Sequence, residues 1–167
     1  MSNALIRSVP SAPETPTFRA PPHNFEAEQA LLGAILVNNE ACDRVSSFLK
    51  SEHFYDALHG RVYDHAAKLI WAGKRATPIT LKTFFQGDEP VGELTVPQYL
   101  GRLAANATTI INAEDYGRTI YDLAIRRNLI QIGEGMVNTA YDAPIDAPPA
   151  VQIEDTEQKL YELAETG

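Results

Sequence analysis

The chain has 167 residues, 44% of them hydrophobic, and a formal net charge of −8, which suits one domain with a real hydrophobic core. This acidic balance argues against phosphate-backbone binding by the whole chain, because nucleic-acid affinity comes mainly from Lys and Arg. A single cysteine, Cys42, excludes an internal disulfide and a cysteine-based zinc site, and it suits a reducing cytoplasm.

The first 22 residues are predicted to form a disordered arm, because proline recurs among serine, alanine and threonine with little apolar periodicity. Order is predicted to begin at Asn24, which can cap a helix with Glu26 and Glu28 in its first turn. The apolar run of this helix, residues 30–37, is far shorter than the ~20 residues that cross a bilayer. We therefore predict a soluble chain without membrane contact.

Several short helices are predicted next, and their apolar residues recur at steps of three and four. Asn39 can cap the second helix, with Val45 facing inward, and a third runs from about His59 to Trp71. No stretch alternates apolar and polar residues as a strand would. The predicted fold class is therefore all-α, with a compact globule of about five short helices over residues 23–111 and a long helical hairpin over residues 112–167.

The hairpin begins with a helix over residues 112–140, which Asn112 can cap and which carries two apolar stripes. The first stripe is Tyr116, Ile120, Leu123, Ile130 and Val137. The second is Tyr121, Ile125, Leu129, Ile132, Met136 and Ala140. A helix after Pro148-Pro149 folds back along it, so the globule and this helix could cover both stripes between them.

The interpretation that we favour leaves one stripe for another subunit, because a two-sided long helix more often serves an interface. It predicts self-association through the hairpin. The residues predicted to make that contact are Tyr121, Ile125, Leu129, Ile132, Leu160 and Leu163.

Few residues indicate chemistry. Lys74-Arg75 and Arg126-Arg127 are only pairs of cations, which is typical of a solvated face. The four histidines include no pair four residues apart, as a helical metal site requires, and no phosphate-binding loop occurs, since Arg75 follows Gly73-Lys74. We predict no catalytic residue, metal site or cofactor in this chain, and a role in interaction rather than catalysis.

Separated blocks of the chain follow the order and spacing of one known family. They are residues 21–34 (PPHNFEAEQALLGA), Phe54-Tyr55 followed by His59, residues 77–81 (TPITL), Tyr99-Leu100 and residues 113–127. In these blocks, residues 21–165 resemble the N-terminal domain of DnaB-type bacterial replicative helicases. The chain departs from the family over residues 92–98, where many members carry a Gly-Gly pair before the Tyr-Leu.

The resemblance implies that this chain is one domain of a larger helicase assembly. Such helicases form hexameric rings that unwind DNA at the replication fork, and a C-terminal domain, expected beyond a linker near Gly167, holds ATP and Mg. The N-terminal domain forms a collar by pairing hairpins between subunits as dimers, and it receives primase. A helicase loader or initiator protein is another implied partner, and DNA contacts fall mainly to the C-terminal domain.

A primase contact is predicted at Tyr99, Ile130 and Met136, which align with family positions near the hairpin and its supporting helix. The alternative interpretation is that all three residues belong to the hydrophobic core. Without the resemblance, a free-standing helical adaptor or dimerisation module unrelated to an ATPase would explain the sequence equally well. A Gly-Lys-Thr/Ser loop encoded beyond Gly167 would decide for the helicase.

Overall fold

The computed structural model describes residues 19–107 and 111–166, so most of the predicted arm, residues 1–18, lies outside the described residues. Within them the structure has seven α-helices and no strand, which confirms the all-α prediction. They are α1 (Phe25–Val37), α2 (Glu40–Asp43), α3 (Ala57–Trp71), α4 (Pro78–Leu81), α5 (Val96–Ala105), α6 (Ala113–Asp142) and α7 (Pro149–Thr166). Two 3-10 helices, Ser51–His53 and Lys82–Phe85, complete the globule.

The globule is built around α1, which packs against α3, α5 and α6. Asn24 caps α1 as predicted, since its side-chain oxygen accepts from the Ala27 N–H at 2.9 Å. Leu31 and Ile35 are completely buried. A Cβ added at Gly33 would lie 2.4 Å from the Leu103 carbonyl oxygen, so this glycine allows α5 to cross close to α1.

Three local predictions differ from the structure. Asn39 does not cap the second helix, because its backbone is helical and its side chain bonds instead to the Ile35 and Ala76 carbonyls. The second helix ends at Asp43, and turns over residues 44–48 bring Val45 to its buried position instead of a continuous helix. Asn112 precedes α6, but its side chain makes no capping hydrogen bond. Its backbone lies near the helical region (φ −92°, ψ 8°), whereas a capping side chain needs the extended backbone that Asn24 adopts.

Helices α6 and α7 form the predicted hairpin, and the 30 residues of α6 span about 45 Å. The first half of α6 packs on the globule through a row of small residues and one isoleucine. This row is Ala113, Gly117, Ile120 and Ala124. At 100° per residue its three small residues lie between the two predicted stripes, and Ile120 belongs to the first stripe. The globule therefore covers the edge of the first stripe and the gap between the two.

Candidate functional site

The candidate site is the outer hairpin, which comprises residues 125–142 of α6 together with α7. No residue of α7 is buried, and none of α6 is buried after Ala124. Both predicted stripes therefore leave their later members exposed. The large apolar side chains exposed on this surface are Leu129, Ile130, Met136, Val137, Tyr141, Val151, Ile153, Leu160 and Tyr161. Apolar exposure on this scale is typical of an interaction surface.

Most of the residues predicted for self-association lie on the outer hairpin. Leu129 and Leu160 are 46% and 43% exposed. Leu163 of α7 shares one cavity with Ile125 and another with Ile132, so the structure brings members from both helices together. Tyr121 lies apart from them and packs on the globule, with its ring edge-on to His53 at 5.2 Å between centroids.

The three predicted primase contacts fall on two different parts of the fold. Ile130 and Met136 are exposed on the outer hairpin. Tyr99 lies on α5 in the hydrophobic core with 8% of its surface exposed. The structure therefore places two of the three where a partner could reach them directly.

A buried polar network, which the sequence did not predict, surrounds Tyr99. The Glu28 carboxylate accepts hydrogen bonds from the Tyr55 N–H at 2.9 Å and from His59 Nδ1 at 2.9 Å. His59 Nε2 lies 2.6 Å from the Tyr99 hydroxyl, which accepts a bond from Gln29 Nε2. His59 therefore bridges the Glu28 carboxylate and the Tyr99 hydroxyl through its two ring nitrogens.

The protein itself satisfies the members of this network. Glu28 and His59 are 2% and 3% exposed, and the described residues contain no buried side-chain polar atom without a hydrogen-bond partner. Burial also raises the pKa of Tyr99, which keeps its hydroxyl protonated as the network requires. The network ties α1, α3 and α5 together from within.

Arg127 joins the hairpin to the globule at the inner edge of the outer hairpin. Its guanidinium donates to the Pro22 carbonyl at 2.8 Å and to the His53 carbonyl at 2.7 Å, and it lies 5.4 Å from the centre of the Tyr55 ring. Burial lowers the pKa of Arg127, and the charge of Glu28 opposes that shift. The prediction of a solvated pair is wrong for Arg127, because α6 packs against the globule there.

Other classes of site find little support in the described residues. Among residues 19–107 and 111–166, no three His, Cys, Asp or Glu side chains could hold a metal ion together. In the same ranges, no helix has the length and apolar character needed to cross a membrane. Cys42 is completely buried, and burial raises the pKa of its thiol to about 11, so its reactive thiolate is disfavoured at neutral pH.

Comparison with known proteins places these features in a family context. A family model described as the DnaB-like helicase N terminal domain matches residues 20–122. The replicative DNA helicase DnaB of Rickettsia typhi is 48% identical over 149 residues, which cover 89% of this chain and 30% of that protein. The Rickettsia conorii protein of the same name is 47% identical over 91% of this chain and 31% of its own length. The chain therefore spans less than a third of these relatives.

Solved structures show the same fold. The N-terminal domain of DnaB helicase from Mycobacterium tuberculosis aligns with a TM-score of 0.75 at 26% identity, covering 86% of this chain and 99% of that one. The corresponding domain from Helicobacter pylori, whose structure is described with its interactions with primase, aligns with a TM-score of 0.58 at 23% identity. That alignment covers 69% of this chain and 89% of the Helicobacter pylori chain.

Proposed function

This chain belongs to the DnaB-like helicase N-terminal domain family, and from that premise we propose that it forms the collar of a replicative DNA helicase. In this proposal, another domain of the helicase holds ATP and Mg, and the helicase unwinds DNA in the bacterial cytoplasm. The chain itself supplies subunit pairing and the primase docking surface, and a helicase loader or initiator protein is a further partner. The family match favours this function over a free-standing adaptor.

The observation that carries the proposal is the uncovered outer hairpin. A second hairpin lying against it would remove Leu129 and Leu160 from water, with Ile125, Ile132 and Leu163 at the edges of the contact. Each of the two exposed leucines is slightly more than half covered already, so complete burial would contribute about 1 kcal/mol per side chain. Two copies present the same residues to each other, and such a two-fold contact closes on itself.

Self-association is tested by sedimentation equilibrium over a range of protein concentrations. We expect the wild-type chain to form dimers, and Leu129→Glu and Leu160→Glu to be mostly monomeric, because an unpaired charge in an apolar contact costs several kcal/mol. Val37→Glu is the matched control, since Val37 is exposed on α1 outside the hairpin. A wild-type chain that stays monomeric at the highest concentration would contradict pairing through this surface.

Primase binding is proposed at Ile130 and Met136, with Tyr99 supporting the surface from within the globule. The proposal is supported by the family and by the Helicobacter pylori structure, whose description includes primase. Exposed flexible and aliphatic side chains are suitable anchors, and truncating a true anchor costs about 2 kcal/mol in binding, roughly thirtyfold.

Calorimetric titration of the cognate primase C-terminal domain tests these contacts. We expect Ile130→Ala and Met136→Ala to weaken binding while the melting temperature stays within a few degrees of wild type. Tyr99→Phe keeps the buried ring and removes only the hydroxyl, so it separates a binding defect from loss of core packing. Wild-type affinity in all three folded variants would place primase elsewhere on the chain.

A further inference from the structure

One segment of this acidic chain has the opposite charge. Residues 65–87 contain Lys68, Lys74, Arg75 and Lys82 and no Asp or Glu, although the whole chain has 22 carboxylates against 14 basic side chains. Lys68 is bonded to Asp64 at 2.8 Å. Within the described part of the chain, no carboxylate pairs with Lys74, Arg75 or Lys82. The segment is therefore cationic along the chain, which is a feature that the collar role does not use.

The same segment exposes large apolar side chains. Trp71 at the end of α3 is 68% exposed, and Ile79 in α4 is 83% exposed. Both belong to residues 71–82, hereafter the 71–82 turn, where they flank Lys74 and Arg75 along the chain. An exposed tryptophan near unpaired cations is a typical anchor for a charged partner, because the apolar and ionic contacts form together.

Backbone contacts hold the 71–82 turn in one shape. Gly73 has a left-handed backbone (φ 74°), and the Lys74 N–H donates to the Leu69 carbonyl at 2.9 Å, which ends α3. The Asn39 side chain then fixes Ala76 from both sides, since its oxygen accepts from the Ala76 N–H at 3.0 Å and its nitrogen donates to the Ala76 carbonyl at 2.8 Å. A surface held in this way loses little conformational freedom on binding.

We propose that the 71–82 turn docks an acidic segment of another protein, one that carries an aliphatic or aromatic side chain between carboxylates. Lys74, Arg75 and Lys82 would meet the carboxylates, and Trp71 and Ile79 would cover the apolar side chain. A single-stranded nucleic acid suits the surface less well, because Ile79 offers no ring for base stacking. This proposal does not depend on the helicase role.

The test uses Trp71 itself, which is the only tryptophan in the chain. The probe is a peptide of about twelve residues with a central isoleucine-phenylalanine pair between two runs of aspartate. At about 0.15 M salt, where charges beyond ~8 Å are screened, we expect the peptide to shift the Trp71 emission to shorter wavelength in a saturable way. A peptide with serines in place of the apolar pair should bind about fivefold more weakly, because the apolar contact is lost.

Matched charge reversals locate the contact. We expect the double variant Lys74→Glu with Arg75→Glu to weaken peptide binding about tenfold or more, because two favourable charge pairs become repulsive. The control, Arg44→Glu with Arg102→Glu, makes the same change in net charge at exposed positions in the turn after α2 and in α5, and it should retain binding within a few-fold. Circular dichroism establishes that both double variants are folded.

Four outcomes would overturn the proposal. No emission shift up to ~1 mM peptide would mean no docking of useful affinity. Equal losses in the two double variants would mean that only the overall charge matters. Tighter binding of an oligothymidylate of the same length would assign the turn to nucleic acid. An emission shift on raising the protein concentration alone would assign it to a second copy, whose α7 is acidic.

Discussion

Glu28 illustrates how far a single residue can be predicted from its neighbours in sequence. Its place in the first turn of α1 predicted a favourable position near the helix dipole. The structure shows a carboxylate that is 2% exposed and bonded to His59 and to the Tyr55 N–H. The available signal was its spacing, since Glu28 precedes Leu31, Leu32 and Ile35 by three, four and seven residues and so shares their buried face.

Removing the charge of Glu28 should be costly for stability. In Glu28→Gln the side chain keeps its shape, but its hydrogen bond with His59 no longer involves a charged carboxylate. The new amide NH₂ is a donor, and it faces the Tyr55 N–H or His59 Nδ1, which donate to the carboxylate in the wild type. We expect the free energy of unfolding to fall by roughly 2 kcal/mol. Glu26→Gln is the control, because Glu26 lies in the same turn and is exposed, so it should change stability by less than about 0.5 kcal/mol. Urea unfolding that gives equal stabilities for the two variants would contradict this role.

At the scale of elements, the sequence predicted most helices but not which face of α6 meets the globule. Helix spacing, caps and prolines are local signals, and they identified α1, α3, α5 and the hairpin. The stripes of large apolar residues along α6 suggested two contact faces. The globule packs on one edge of the first stripe, at Ile120, and on a row of small residues beside it, Ala113, Gly117 and Ala124, because small side chains let two backbones approach closely. A helix face made of glycine and alanine is hard to recognise from the sequence, because the pattern of large apolar residues does not mark it.

Glycine substitutions in α6 test this packing. In an open helix, Gly→Ala stabilises by up to about 1 kcal/mol, because alanine has the higher helix propensity. At Gly117 a Cβ would lie 2.5 Å from Val45 Cγ1, so we expect Gly117→Ala to destabilise by about 1–3 kcal/mol through overpacking. Gly133 has open space around it, and Gly133→Ala should be neutral or stabilising. Thermal unfolding that shows the same sign for both variants would contradict the close approach at Gly117.

For the whole molecule, the sequence predicted a helical globule with a long hairpin, and it left the junction between them undefined. That junction depends on Arg127, whose contacts with Pro22 and His53 join residues 105 and 74 positions apart. Helix periodicity and capping residues are local patterns, so they cannot predict contacts between residues so far apart in the chain. Two adjacent arginines are also usually solvated, so nothing in the sequence singled out Arg127. The exposed outer hairpin was predictable, because α6 carries two apolar stripes there and one neighbouring helix can cover only one of them.

Replacing Arg127 should loosen the hairpin relative to the globule. Arg127→Ala removes both hydrogen bonds and the contact with the Tyr55 ring, and each bond from a charged donor contributes about 1.5–3 kcal/mol. Spin labels on Ser47→Cys and Glu157→Cys, which are exposed positions on the globule and on α7, would report the distance between the two parts. The native Cys42 is buried and would not compete for the label.

We expect a narrow distance distribution with Arg127 in place and a broader one in Arg127→Ala, measured below the concentration at which the chain self-associates. Arg127→Lys should also broaden it, because one ammonium on a flexible stem replaces the rigid fork that reaches both carbonyls. Arg126→Ala is the control, since this neighbour is exposed and should leave the distribution unchanged. If Arg127→Ala keeps the narrow distribution, packing of Gly117 and Ile120 against the globule alone fixes the hairpin. In a collar built from paired hairpins, the orientation of the hairpin relative to its globule would set how far apart the globules of two subunits lie.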